Sequence, residues 1–168
     1  MLEPLITSKT RLRLLIKFFL NIANNGYLNS LANEFGESTN SVRKELNNLS
    51  SAGYLKKHNQ NNKVIYKANA SHPLFKIIQK IVHKHLGIEE ILETVYERIG
   101  DVKKIMILGD YAKGIDSGLI EILIVGDDIN KKYLDEISPK IELKIKRKVS
   151  FFTSNKSLKQ NSLTIFEA

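Results

Sequence analysis

Residues 29–69 read NSLANEFGESTNSVRKELNNLSSAGYLKKHNQNNKVIYKAN, and their pattern predicts two short helices followed by a β-hairpin. Apolar residues recur at helical spacing up to Gly36, which ends the first of these helices. The second helix starts after Ser38 and Thr39, and Gly53 ends it. Its buried side is predicted to consist of Val42, Leu46 and Leu49.

The hairpin is predicted directly after the second of these helices. Residues 54–57 (YLKK) and 64–67 (VIYK) alternate apolar and polar side chains and include β-branched residues, which indicates strands. Between them, residues 58–63 (HNQNNK) form a polar loop that ends in a lysine.

A further helix is predicted upstream, with Ser8 or Thr10 as its N-cap. Asn24, Asn25 and Gly26 stop it. Its apolar face follows helical spacing and consists of Leu12, Leu15, Ile16, Phe19 and Ala23. Three helices and a hairpin in this order, with polar groups on the third helix and on the hairpin loop, are the layout of a winged helix.

The third helix carries compact polar side chains opposite its apolar stripe. They are Thr39, Asn40, Ser41, Arg43, Lys44, Asn47 and Asn48. Glu45 is the one acid of this helix. In the major groove of DNA, arginine, lysine and asparagine can read base edges, and serine and threonine can hold phosphates. An ordinary solvated helix face is the alternative.

The stretch quoted above resembles the winged helix-turn-helix of ArsR-type bacterial regulators, and the likeness extends over residues 8–70. The matching pieces are LANEFGESTNSVRKELNNL and then SAGYLKK. The resemblance implies double-stranded DNA as the partner of a transcriptional regulator. It also implies DNA contacts by Thr39, Asn40, Ser41, Arg43, Lys44 and Asn47, with Asn61, Asn62 and Lys63 on the wing. Winged helices also serve as protein-docking modules, which is an alternative function.

The charge of the chain is unevenly placed. The 168 residues carry a net charge of +8, of which +6 lies in residues 1–70, 0 in residues 71–100 and +2 in residues 101–168. A local excess of cations suits a polyanion, because each phosphate contact releases counterions. On charge alone, a solvated lysine-rich surface is an equal alternative.

The composition excludes several classes of protein. With no cysteine, the chain has no disulfide, no thiolate chemistry and no ordinary structural zinc site. Its longest apolar runs, 105–108 and 122–125, are far shorter than the ~20 residues of a membrane span. The N-terminus has charges where a signal peptide is apolar. We therefore expect a cytoplasmic protein with no cofactor and no membrane partner.

Residues 71–100 are predicted to be a helical connector. One helix follows His72 and Pro73, and a second follows the break at Gly87. The apolar positions are Leu74, Ile77, Ile78, Ile81, Val82 and Leu86, then Ile88, Ile91, Leu92, Val95 and Ile99. ArsR-type proteins often dimerise through a helix after the wing, which implies a homodimer; packing on the chain's own C-terminal half is the alternative. His83 and His85 do not share a helix face, so we expect no metal site there.

Residues 101–168 are predicted to form a small α/β domain with a mixed sheet. Strands are predicted at 104–108, 118–126 and 146–153, and a helix at 130–137. The pattern LGDYAKG…GLIEILIVGD resembles the minimal nucleotidyltransferase signature of the polymerase-beta superfamily, over residues 88–160. In that family a Gly-Ser turn holds the nucleotide, and strand carboxylates hold two magnesium ions.

This sequence departs from that signature at the residues that carry the chemistry. Asp110 stands where the family has serine, Leu119 and Glu121 stand at the two metal-ligand positions, and KRKVSFFT offers no third acid. We therefore expect no enzyme, no catalytic residue and no metal ligand, but a vestigial nucleotide pocket at Gly109, Asp110, Lys113, Gly114 and Glu121.

The resulting expectation is an α+β protein in three parts. Residues 1–70 bind DNA, 71–100 connect or dimerise, and 101–168 are a degenerate nucleotidyltransferase-like domain that dimerises or binds a nucleotide-like effector or a partner. An active nucleotidyltransferase guided by its winged helix is the enzymatic alternative.

Overall fold

The computed structural model describes residues 1–96, 98–158 and 161–168. Within these ranges the chain has seven helices and two sheets, which confirms the α+β class. It divides into two compact units, Met1–Val82 and His83–Ala168, here called unit 1 and unit 2. Glu97 of the predicted connector and residues 159–160 of the predicted C-terminal domain lie outside the described residues.

Unit 1 contains the three predicted helices and the predicted hairpin. Its elements are α1 (Lys9–Phe19), β1 (Asn25–Tyr27), α2 (Leu28–Phe35), α3 (Thr39–Ser51), β2 (Leu55–Gln60), β3 (Lys63–Ala68) and the greater part of α4 (Phe75–Leu86). The strands form an antiparallel sheet in the order β1-β3-β2. Strand β1 was not predicted; it includes Gly26, where a Cβ atom would lie 2.9 Å from the Leu31 side chain.

Helices α2 and α3 are joined by a three-residue turn. Gly36 has a φ of +62°, a left-handed conformation that favours glycine, and its N–H donates to the Asn33 carbonyl. Ser38 is the N-cap of α3, because its Oγ accepts a hydrogen bond of 3.2 Å from the Ser41 N–H. Two helices joined by a short turn that contains glycine make a helix-turn-helix.

Helix α1 is shorter than its sequence pattern predicted. It begins at the predicted cap Ser8, but it ends at Phe19, and Ala23 lies exposed beyond it. The Asn24 side chain ends it by donating a 2.9 Å hydrogen bond to the Lys17 carbonyl. Leu14 and Phe18 are fully buried although the predicted face left them out. Because α1 packs against both α3 and β3, more than one stripe of it is buried.

Unit 2 is a four-stranded sheet with helices. Its elements after the end of α4 are α5 (Ile88–Tyr96), β4 (Asp101–Leu108), α6 (Gly109–Ala112), β5 (Leu119–Asp127), α7 (Lys131–Ile145), β6 (Lys148–Ser154) and β7 (Leu163–Glu167). The strand order is β6-β5-β4-β7, with β5 and β6 parallel and the other pairs antiparallel. The sheet is therefore mixed, as expected, and β7 is an addition that was not predicted.

Helix α7 extends well beyond the predicted residues 130–137. It continues through Pro139 to Ile145. Its buried residues keep helical spacing along the whole length: Leu134, Ile137, Ile141 and Ile145. This packing outweighs the loss of one backbone hydrogen bond at the proline.

The predicted connector forms the two helices α4 and α5, separated at Gly87. Gly87 has a φ of +81°, and a Cβ atom there would lie 2.4 Å from Cγ2 of Ile145, so only glycine fits. The predicted apolar stripe is only partly buried: Val82 and Leu86 are, whereas Ile77 and Ile81 are exposed.

Candidate nucleic-acid interface

Helix α3 is sharply two-sided. Val42, Leu46 and Leu49 are buried, which confirms the predicted stripe. The remaining predicted contact residues of this helix are all exposed: Thr39, Asn40, Ser41, Arg43, Lys44 and Asn47. Asn40 accepts a 3.2 Å hydrogen bond from Nη1 of Arg43, and the hydroxyls of Ser38 and Ser41 lie 3.0 Å apart. The exposed side therefore presents hydroxyls, amides and two cations.

Glu45 does not belong to this exposed side. Its side chain is 8% exposed and accepts 2.8 Å hydrogen bonds from Arg11 Nε and from the Ser8 hydroxyl. Burial raises the pKa of Glu45, but the hydrogen bonds and the charge of Arg11 lower it more, so the carboxyl titrates below its ordinary value. The exposed polar side of α3 therefore contains no acid, because Glu45, the one acid of this helix, is buried.

The other acids of residues 1–70 are also paired. Glu34 accepts a 2.8 Å hydrogen bond from Lys17 Nζ, Glu37 pairs with Arg13, and Glu3 lies 2.6 Å from the terminal ammonium. The cations of α1 therefore neutralise the acids of α2, of α3 and of the turn between them. Within residues 1–70, all of which the structure describes, the other cations have no carboxylate partner: Lys9, Arg43, Lys44, Lys56, Lys57, Lys63 and Lys67.

The hairpin loop is shorter than predicted. Gln60 pairs with Lys63, so residues 58–60 belong to β2 and the loop contains only Asn61 and Asn62. These two residues have φ values of +48° and +59°, the left-handed conformation that a type I′ turn needs at both positions. Asparagine tolerates this conformation, so the Asn-Asn pair was a signal in the sequence for a two-residue turn.

The sheet of unit 1 has one basic face. Side chains alternate along a strand, so Leu55, Tyr66 and Ala68 lie on the buried face of the sheet. The opposite face, here called the outer face, carries Lys56, His58, Lys63 and Lys67 and no acid. Lys56 and Lys67 are directly opposite each other, an arrangement of like charges that destabilises a sheet.

Two lysines of the hairpin make cation–π contacts with tyrosine rings. The Nζ atom of Lys63 lies 4.4 Å from the centre of the Tyr27 ring, and that of Lys57 lies 5.7 Å from the centre of the Tyr66 ring. Such cation–π contacts orient the ammonium groups without neutralising them. The predicted wing residues Asn61, Asn62 and Lys63 thus form a second group, on a different element from the residues of α3.

The residues of the predicted nucleotide pocket in unit 2 lie on α6, just after α6 and on β5. Gly109 has a φ of +59°, and a Cβ atom there would lie 2.0 Å from Oε2 of Glu121. The Glu121 carboxylate thus lies over the turn, while Asp110 and Lys113 are exposed and Gly114 is buried. Both carboxylates disfavour a phosphate at this turn.

Sequence reasoning missed a polar cluster in unit 2. Arg147 donates two hydrogen bonds to Asp116, from Nε to Oδ1 at 3.0 Å and from Nη2 to Oδ2 at 2.6 Å. The buried Tyr111 hydroxyl also donates to Asp116. Burial raises the pKa of Asp116, but the hydrogen bonds from Arg147 and Tyr111 lower it more. Burial and Asp116 together raise the pKa of Tyr111. The cluster fixes the loop before β5 to the start of β6.

The described residues contain no group of three or more histidine and acidic side chains placed to hold a metal ion. His85 is buried and His83 is half-buried. Among the described residues, no helix is long and apolar enough to cross a membrane.

Comparisons with known proteins give weak likenesses. No protein-family model matches the chain, and no curated protein matches it. Two solved structures are similar to about half of it. The AntR antimony-specific transcriptional repressor has 16% identity and a TM-score of 0.38, covering 52% of this chain and 71% of the repressor. Sso10a-2, a DNA-binding protein from Sulfolobus solfataricus, has 17% identity and a TM-score of 0.36, covering 52% and 88%.

Proposed function

We propose that unit 1 is a winged helix that binds double-stranded DNA with α3 in the major groove. One observation supports this most strongly: Arg11 and Ser8 hold Glu45 inside the unit, so that the exposed side of α3 has cations and no acid. A carboxylate on this side would be repelled by DNA phosphates, whereas the exposed cations attract them.

The proposed roles follow from side-chain chemistry. Arg43 and Lys44 contact phosphates or guanine, and Asn40 and Asn47 contact base edges. The hydroxyls of Thr39 and Ser41 lie in the first turn of α3, where donors suit a phosphate. Asn61, Asn62 and Lys63 of the hairpin contact the flanking backbone.

The test starts from selection of bound fragments from genomic DNA by the full chain. Binding to a selected duplex is then followed by fluorescence anisotropy over a range of salt concentrations. We expect Arg43→Ala and Lys44→Ala each to weaken binding, and loss of a phosphate contact to reduce the salt slope by about one. Lys76→Ala is the matched control, because Lys76 is an exposed lysine of the same unit on a different helix.

A double variant of Arg43 and Lys44 that binds the selected duplex as tightly as the wild type would show that α3 is not the recognition helix. Failure to enrich any fragment, with the wild type folded, would favour the protein-docking function instead.

For the whole chain we propose a transcriptional regulator in which residues 1–70 bind DNA, 71–100 connect or dimerise, and 101–168 are a degenerate nucleotidyltransferase-like domain. The support for loss of activity is Leu119 at a metal-ligand position and the Glu121 carboxylate over Gly109. In this proposal the C-terminal domain serves a homodimer, a nucleotide-like effector or a partner, and needs no cofactor.

A further inference from the structure

Unit 1 contains a cavity of about 420 Å³ beneath the inner side of α3. Its walls come from the N-terminal segment, α1, the end of α3 and α4, and most of them are aliphatic. The aliphatic residues are Leu2, Leu5, Ile6, Leu15, Leu49, Ile78, Ile81 and Val82. Small-molecule sites have volumes of about 300–1,000 Å³ and mostly apolar walls with a few polar groups.

The polar groups of this cavity are Arg11, Asn48 and Tyr54. Arg11 carries the one formal charge among the lining residues. Two of its nitrogens, Nε and Nη2, are engaged by Glu45, at 2.8 and 3.4 Å. Within unit 1, which is described in full, its third nitrogen, Nη1, has no hydrogen-bond partner. A guanidinium has five N–H donors, so Arg11 can keep Glu45 and still donate to a second carboxylate.

The cavity opens at an apolar rim. Leu5 is 80% exposed and Ile81 is 42% exposed, although both line it. Aliphatic side chains that stay exposed around a concave apolar surface are typical of a binding groove. The excess positive charge of residues 1–70 adds a general attraction for anions.

We propose that this cavity binds an amphipathic monocarboxylate, with its hydrocarbon part among the aliphatic walls and its carboxylate on Nη1 of Arg11. Apolar burial supplies most of the binding free energy, and the arginine selects the charge of the head group. The proposal concerns unit 1 alone and stands whether or not α3 binds DNA.

The probe is octanoate, titrated into the full-length protein and followed by calorimetry, with 1-octanol and octylammonium as the neutral and cationic analogues. We expect one octanoate per chain, with octanol binding about tenfold more weakly because it lacks the charge-assisted hydrogen bond. Octylammonium is expected to bind more weakly than octanol. Equal affinity for all three probes, or no saturable binding of octanoate, would overturn the proposal.

Two isoleucines of α4 provide a matched pair of variants. Ile81 lines the cavity and Ile77 does not, and both are exposed. Ile81→Asp places a carboxylate at the wall and is expected to abolish octanoate binding, whereas Ile77→Asp retains it. Circular dichroism shows whether each variant is folded.

A second copy of the chain is the competing occupant of this groove. Sedimentation of the wild type and of both variants, without octanoate, distinguishes it. A concentration-dependent dimer that Ile81→Asp dissociates and octanoate does not would show that the groove is a protein interface, and would refute the ligand site.

Discussion

Arg11 of α1 holds Glu45 of α3 through two hydrogen bonds, from Nε to Oε2 at 2.8 Å and from Nη2 to Oε1 at 3.4 Å. The two residues are 34 positions apart in the chain, so the contact fixes α3 against α1. The same contact removes the acid of α3 from the exposed side. A single ion pair therefore contributes both to the packing of unit 1 and to the charge of the proposed DNA-binding face.

Replacing Arg11 by methionine keeps the aliphatic length and removes the charge. The Glu45 carboxylate is then buried with fewer partners, so we expect the free energy of unfolding to fall by about 1–3 kcal/mol. Urea denaturation at neutral pH measures the change. Lys9→Met is the control, because Lys9 is exposed on the same helix with no carboxylate partner in unit 1, and we expect a change within about 0.5 kcal/mol. Equal losses in the two variants would contradict a specific role for the pair.

Replacing one lysine of the pair Lys56 and Lys67 is expected to raise the stability of the protein and to lower its affinity for DNA. They lie directly opposite each other on the outer face of the hairpin, so replacing either by alanine removes a repulsion. We expect Lys67→Ala to stabilise the protein by about 0.2–1 kcal/mol at low salt. If the outer face contacts phosphates, the same variant binds a selected duplex more weakly, with a salt slope reduced by about one.

Urea denaturation and anisotropy on the same preparation of Lys67→Ala give both quantities. Lys76→Ala again serves as the control, with neither quantity changed. A variant that is more stable and binds DNA as well as the wild type would exclude Lys67 from the interface, and leave Asn61, Asn62 and Lys63 as the wing contacts.

The buried stripe of α3 could be predicted because its signal is local. Val42, Leu46 and Leu49 follow the helical repeat, and Gly36 and Gly53 mark the ends of α2 and α3 by backbone conformation. The turn at Asn61 and Asn62 had a local signal as well, since asparagine tolerates a positive φ, but the polar run around it suggested a longer loop.

Contacts between distant parts of the chain could not be predicted. The burial of Glu45 depends on Arg11, and the Asp116 cluster depends on Arg147, 31 positions later. Strand β7 pairs with β4 across more than 50 residues, so no repeat in its own five residues distinguishes it from a loop. The cavity could not be predicted for the same reason, because its walls come from four separate segments of the chain.

The contacts of Asp116 predict that the stability of unit 2 falls at acidic pH. Its carboxylate is held by Arg147 and Tyr111, and its pKa lies below the ordinary value of 3.8. A lowered pKa contributes stability that is fully present above pH 3.8 and is lost as the pH falls through the lowered value. We expect Asp116→Asn to lower the free energy of unfolding by about 1–2 kcal/mol at neutral pH, because Arg147 loses a charged partner whose own side chain is 28% exposed.

The difference between wild type and Asp116→Asn should shrink on acidification, measured by urea denaturation down to about pH 3. Asp110→Asn is the control, because the Asp110 side chain has no hydrogen bond or ion pair with another described residue, and it should stay within about 0.5 kcal/mol of the wild type. A pH-independent difference would show that shape rather than charge makes Asp116 important.

Alanine substitutions at Gly109 and Gly118 can test where the Glu121 carboxylate lies. Both have a positive φ, so alanine at either is strained by about 1–2 kcal/mol. At Gly118 a Cβ atom meets nothing within 4 Å, whereas at Gly109 it would meet Oε2 of Glu121 at 2.0 Å. We expect Gly109→Ala to cost more than Gly118→Ala, and the excess to disappear when Glu121→Ala is added. If the Glu121→Ala background changes nothing, the carboxylate does not lie over this turn.

The same carboxylate bears on the enzymatic alternative. A two-metal phosphoryl transfer needs several oxygen ligands around the ions, and here Leu119 supplies none while Glu121 lies against the turn that would hold the triphosphate. We therefore expect no transfer of label from ATP to nucleic acid or protein acceptors in the presence of Mg²⁺ or Mn²⁺. Transfer that requires the metal and disappears in Glu121→Ala would contradict the proposal that unit 2 is degenerate, because the acid would then act as a ligand. Transfer that persists in Glu121→Ala would instead indicate a contaminating enzyme, since the variant lacks the one acid at the signature's ligand positions.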